Sequence, residues 1–131
     1  MNITSYFVTH RQDLLDEFFR KAKFTIDSIH PLVKPMLPKS TTNNANEIYF
    51  KATNNMLRIG LDVRGKTPTH LHISEFAHMT QEVQAKLFVA MESFRKCRIT
   101  IESTANGMGD IFHGLCTQSK QGDSEYKLLF Y

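Results

Sequence analysis

A chain of 131 residues is long enough for one compact domain with a single core, and too short for a protein of several domains. Sixteen Lys and Arg against thirteen Asp and Glu leave a formal charge of +3, a mild basic excess that is compatible with phosphate partners without demanding them. No apolar run approaches the ~20 residues that span a bilayer, and Met1 to Arg20 is too polar and acidic for a signal or transit peptide, so a soluble cytoplasmic protein is expected.

Ile3 to His10 carries Tyr6, Phe7 and Val8 in a short apolar run that suits a buried strand. Leu14, Leu15, Phe18, Phe19 and Ala22 then recur at helical spacing between charged residues, so Arg11 to Phe24 reads as an amphipathic helix. Pro31, Pro35 and Pro38, followed by the polar run Ser40 to Asn46, predict an irregular exposed loop. Glu47 to Ala52 and Met56 to Val63 are strand-like around Thr53, Asn54 and Asn55, which predicts a β-hairpin over residues 47–63.

After the turn-prone Arg64 to Thr69, residues His70 to Ser74 alternate as a strand, and Thr80 caps a helix carrying Val83, Leu87, Ala90, Met91 and Phe94. Arg98 to Glu102 is a further strand. Asp110 is placed to cap a helix bearing Ile111, Phe112, Leu115 and Cys116, and Tyr126 to Tyr131 reads as a last apolar strand. Strands alternating with helices imply an α/β fold, a mostly parallel sheet flanked by helices, with residues 1–131 as a single domain. One pattern resists that architecture. A sheet covered on both faces has nearly continuous apolar strands, whereas residues 70–74 and 97–102 alternate, so one face is left partly bare or is covered by something outside the chain.

Cys97 and Cys116 stand nineteen positions apart without a CxxC pair, which fits small core residues in a reducing compartment. The basic runs from Lys34 to Lys39 and at Arg95, Lys96 and Arg98 are short enough to be solvated surface. His70 and His72 share a strand face, with His78 and His113 as further candidates, but no fourth ligand can be named and no metal site is assigned. The periodicity of Phe18, Phe19, Phe88, Phe94, Phe112 and Phe130 points to core rather than to base stacking.

Gly60, Gly65, Lys66 and Thr67 match the spacing G-x-x-x-x-G-K-T of a phosphate-cradling loop. Such a loop needs a helix at its exit to converge backbone N–H groups on the phosphates, whereas Pro68 and an alternating strand follow here, so a polar turn between strands is the expectation. A different pair of segments carries more chemistry. Leu71-His72-Ile73-Ser74-Glu75 ends a strand in a carboxylate, and Ile99 to Gly107 ends the next in the hydroxyl- and amide-rich Ser103-Thr104-Ala105-Asn106-Gly107. Both tips belong at the carboxyl edge of a parallel sheet, where open α/β folds bind ligands. A carboxylate there can orient a water against phosphorus, although an acid at a strand end is also a common capping or surface group.

The run Val63-Arg64-Gly65, then Leu71 to Ala77, then Glu102 to Gly107 resembles the central ATPase segment of large terminase subunits, the motors that package viral DNA. The likeness spans Glu47 to Tyr131, with Ile3 to Phe24 as a preceding strand and helix of a partial P-loop NTPase core. It implies Glu75 as the catalytic carboxylate, Arg64 as a catalytic arginine finger, Ser74 at the place of a magnesium-associated Asp, and Ser103, Thr104 and Asn106 as the coupling turn beside the nucleotide. ATP and Mg2+ are the implied ligands. The rest of the large subunit, the small terminase subunit, the portal and double-stranded DNA are the implied partners, in the cytoplasm of a bacterial host, with no membrane.

Ser74 departs from the family because a neutral hydroxyl holds a magnesium ion or its water shell more weakly than a carboxylate does. No glycine precedes residue 47, so the family's own phosphate loop is expected to lie outside this chain, as is the nuclease domain, and the isolated chain is not expected to turn over ATP. Two alternatives stay open. One is a non-catalytic remnant that forms a homo-oligomer through its bare sheet face; the other is a nucleotide-binding domain that uses Gly60 to Thr67 as its phosphate loop.

Overall fold

The structure is a computed structural model that describes residues 2–44 and 46–129. Six strands form one sheet: β1 (Thr4–Val8), β2 (Ser40–Asn44), β3 (Glu47–Phe50), β4 (Asn55–Gly60), β5 (His70–Ser74) and β6 (Arg98–Glu102). Three helices accompany them, α1 (Gln12–Asp27), α2 (Gln81–Glu92) and α3 (Ile111–Gln121), with short 3-10 turns at Lys34–Met36 and Phe76–His78. The sheet order is β2-β3-β4-β1-β5-β6. β1 pairs in parallel with β4 and β5, and β5 in parallel with β6, while β2-β3 and β3-β4 are antiparallel. The expected α/β class and mostly parallel arrangement are therefore present as a mixed sheet. No helix among the described residues is long and apolar enough to cross a membrane.

Register explains the two faces. Tyr6 stands beside Leu71 and Leu71 beside Ile99, while Val8 stands beside Ile73 and Ile73 beside Ile101, so one face is apolar from β1 to β6. That face meets Phe76, Met79, Leu87 and Met91 in the main core, with Phe88, Phe94, Ile111, Phe112 and Leu115 of the following elements packed around it. Both covering helices start at side-chain caps: Thr80 Oγ1 accepts from the Val83 amide at 3.4 Å, and Asp110 Oδ1 accepts from the His113 amide at 2.7 Å.

The opposite face changes character along the sheet. Phe7 lies against Phe18 of α1 with ring centroids 4.5 Å apart, and Leu15 is buried beneath the helix. Farther along, the same face presents His70, His72, Arg98, Thr100 and Glu102, which are half-buried or exposed. His72 stacks on Phe7 at 4.7 Å and its Nε2 lies 3.6 Å from Glu102 Oε1. The alternation in residues 70–74 and 97–102 thus marks a strip that is left open, as the pattern required.

Several boundaries differ from expectation. Ser40–Asn44 is not an irregular loop but the edge strand β2, antiparallel to β3 with a register irregularity between Thr42 and Asn44. An edge strand needs no apolar face, so its polar composition hid it. The hairpin is present with shorter strands, and Asn54 takes a left-handed backbone at φ 52° in its turn, as an Asn can. Helix α1 runs on to Asp27. Tyr126 to Leu129 is irregular rather than a strand, and the remainder of that expected strand, with the core role given to Phe130, lies outside the described residues. Cys97 and Cys116 are free and half-buried, and burial pushes both thiols up.

Phe76 is fully buried where the strand end of β5 meets the covering helices, and its ring meets Phe112 edge-on at 6.4 Å. Phe76→Ala is expected to lower stability by about 3–5 kcal/mol, read as a shift in the urea midpoint at constant slope.

Candidate functional site at the carboxyl edge of the sheet

Because β1, β5 and β6 are parallel, their carboxyl ends open on one edge, and this edge collects His10, Glu75, Ser103 and Thr104. Glu75 is the pivot. It follows the last residue of β5 with φ 55° and ψ 45°, a left-handed conformation that costs a non-glycine residue roughly 1–2 kcal/mol. The reversal lets the next two residues, Phe76 and Ala77, turn into the core, while the Glu75 side chain keeps about a third of its surface exposed (34%) and leans toward the end of β6. Strain of this kind persists only where surrounding contacts hold it.

Those contacts converge on one carboxylate oxygen. Thr104 donates to Glu75 Oε2 from its backbone amide at 3.3 Å and from its hydroxyl at 3.2 Å, and Ser103 Oγ lies 3.3 Å from the same atom. Ser103 Oγ also accepts from the Ala77 amide at 3.1 Å, and Asn106 Nδ2 donates to the Ala77 carbonyl at 3.0 Å. The turn after β6 is therefore tied to the turn after β5 at three successive points: the Glu75 side chain, the Ala77 amide and the Ala77 carbonyl. Glu75 Oε1 takes no hydrogen bond from the described residues.

His78 completes the cluster. Its Nε2 lies 2.8 Å from Thr104 Oγ1 and 3.7 Å from Glu75 Oε2. With the Nε2–H tautomer, His78 donates to the Thr104 hydroxyl, which donates in turn to Glu75, a short relay into the carboxylate. The His10 ring stands 6.4 Å from the His78 ring, and His10 Nδ1 and the neighbouring Thr9 Oγ1 are buried without a hydrogen-bond partner. Sequence reasoning placed His78 only among loose metal candidates and gave His10 no role. The available signal for His78 was its position three residues after Glu75, which a single tight turn brings to the same side.

Of the residues singled out from sequence, the structure brings Glu75, Ser103, Thr104 and Asn106 together and leaves Ser74 and Arg64 apart from them. Ser74 is buried, on the strand side shared with His70 and His72, and its side chain takes no part in the Glu75 cluster. Arg64 is exposed and pairs with Asp62, donating to that carboxylate from both its backbone amide and its guanidinium. Burial works against the charged Asp62, but these Arg64 hydrogen bonds outweigh it and hold the carboxyl below its usual value.

Gly60 ends β4, and residues 61–69 run directly into β5 with Pro68 buried on the way. Gly60 to Thr67 is a connecting turn with no helix at its exit, so the backbone convergence that a phosphate loop uses is not built here. His70, beside Thr69 Oγ1 at 3.2 Å, and His72, stacked on Phe7, lie on the open sheet strip away from His78.

No protein-family model matches this sequence, and no curated protein matches it.

Removing the Ser103 hydroxyl leaves the Ala77 amide without its acceptor and takes away a donor shared by the Thr104 carbonyl and Glu75, so Ser103→Ala is expected to cost about 1–3 kcal/mol in urea unfolding. Arg64→Ala, which removes only an exposed pair, should stay within about 0.5 kcal/mol in the same measurement.

Proposed function

We propose that this chain is the central part of a terminase-like packaging ATPase, with Glu75 as the carboxylate that orients the attacking water and Ser103, Thr104 and Asn106 as the turn that couples the site to movement. The observation that supports it is the joining of two segments far apart in sequence. The strand tip ending in Glu75 and the tip beginning at Ser103 are the two motifs whose order resembles that family, and their side chains bond to each other at the ligand-binding edge of the sheet.

Pinning Oε2 with the amide and hydroxyl of Thr104, beside the Ser103 hydroxyl whose one proton is shared with the Thr104 carbonyl, holds the carboxylate, which leaves Oε1 to accept from a water and aim its lone pair. Thr104 and Asn106 carry any displacement of their turn directly to the Glu75 carboxylate and to the Ala77 backbone that follows it. His78 reaches the carboxylate through the Thr104 hydroxyl, two hydrogen bonds away.

The described residues supply the water side of such a reaction. They do not fit a complete magnesium–triphosphate grip: Ser74 offers one buried neutral oxygen beside the single Glu75 carboxylate, and the Gly60 to Thr67 turn leads into no helix. In this reading the phosphate cradle and the metal's remaining oxygens come from the rest of the large subunit. The small subunit, portal, double-stranded DNA and an arginine finger role for Arg64 across a subunit boundary belong to that assembled motor.

The isolated chain is expected to show background turnover of Mg-ATP. Joined to the phosphate-loop segment of a terminase large subunit, it should hydrolyse ATP, and Glu75→Gln should then lower kcat about 100-fold or more with little change in KM. Turnover by the joined protein that survives Glu75→Gln, or sustained Glu75-dependent turnover by the isolated chain, overturns the proposal.

A further inference from the structure

Among the described residues β6 is an edge of the sheet, and its start shares a cleft with Ser124, Glu125 and Tyr126. β6 has one neighbour, β5, and the Arg98 amide donates inward to Thr69 O at 2.9 Å. In a parallel ladder the residues bonding to one neighbour alternate, so Arg98, Thr100 and Glu102 face β5 while the N–H and C=O groups of Ile99 and Ile101 turn outward. The described residues give those outward groups no partner. The strand is short but flat in pattern, and Ile99 and Ile101 are only partly covered by the core.

The sequence of this edge is complementary to itself. Laid antiparallel against a second copy about Thr100, Arg98 faces Glu102, Ile99 faces Ile101, Thr100 faces Thr100, Ile101 faces Ile99 and Glu102 faces Arg98. Every pair belongs to a favourable class: opposite charges, β-branched apolar residues, or two threonines. The hydrogen-bond phase agrees as well. The outward groups of Ile99 and Ile101 make the hydrogen-bonded pairs. The charged pairs and the central threonines fall on the closer, non-hydrogen-bonded sites, where side chains interact most directly. Arg98 has no ion-pair partner within its own chain among the described residues, and Glu102 is met only by His72 at 3.6 Å.

We propose that two copies of this chain associate through β6, edge to edge and antiparallel, so that two six-stranded sheets become one across a two-fold axis at Thr100. The interface is isologous, as a closed dimer requires. The inference is independent of the ATPase reading: it rests on the sheet edge, and its test involves no nucleotide.

Sedimentation velocity on the 131-residue chain should show a species of twice the 15.1 kDa chain mass. Arg98 and Glu102 are exposed, so charge reversal leaves the fold intact, which far-UV circular dichroism checks. Arg98→Glu and Glu102→Arg each place like charges opposite one another and should each weaken the dimer by about tenfold or more. The double variant carrying both changes restores opposite pairs and should dimerise as the wild type does. Mixing the two single variants should yield a heterodimer, since one contributes only Glu and the other only Arg at these positions. A monomeric wild-type chain, or a dimer indifferent to these reversals, overturns the proposal.

Discussion

Parallel pairing of β1, β5 and β6 is the constraint from which the rest follows. Parallel strands need long connections, and here α2 fills the one between β5 and β6, packing Leu87 and Met91 onto the apolar face. The same direction of travel brings three strand ends to a single edge, so the groups that follow them meet without any long loop. Were β6 antiparallel, Ser103 and Thr104 would leave from the other end of the sheet, and Glu75 would have no donors to hold its left-handed backbone.

The site and the core share a few residues of chain. Glu75 turns outward because Phe76 turns inward, and the Ala77 amide and carbonyl that receive Ser103 and Asn106 belong to a residue that is itself buried. Precision at the carboxylate is thereby inherited from side-chain packing two residues away, which is how a site on loops acquires the rigidity of the scaffold beneath it.

Much of this was legible in the residues. The period change from Tyr6–Val8 to Leu14–Ala22 marked a strand and helix, the caps Thr80 and Asp110 marked helix starts, and alternation in His70 to Ser74 announced the open strip. Glu75 and Ser103 to Asn106 were legible as a pair because their strands are neighbours in sequence order and α/β sheets place such ends together. Ser40–Asn44 was not legible, since pairing at an edge is satisfied by backbone groups that any polar residue carries. His10 was hidden for another reason: its approach to His78 depends on β1 lying next to β5, sixty-odd residues later, which local pattern does not encode. Ser74 and Arg64 were matched by motif position, and in the fold Ser74 is buried and Arg64 pairs with Asp62.

The central place of β1 has a consequence during synthesis. This strand is made before the other five strands of the sheet, and both of its partners lie far downstream, with Ser5 beside Leu57 on one side and beside His70 on the other. At roughly 5–20 residues per second, the ribosome needs several seconds to deliver the second partner after the first strand has emerged. Through that interval Phe7 can pack against Phe18 of α1, so the amphipathic helix serves first as the cover of one face of an unfinished strand, while Tyr6 and Val8 on the other face wait for Leu87 and Met91 of α2.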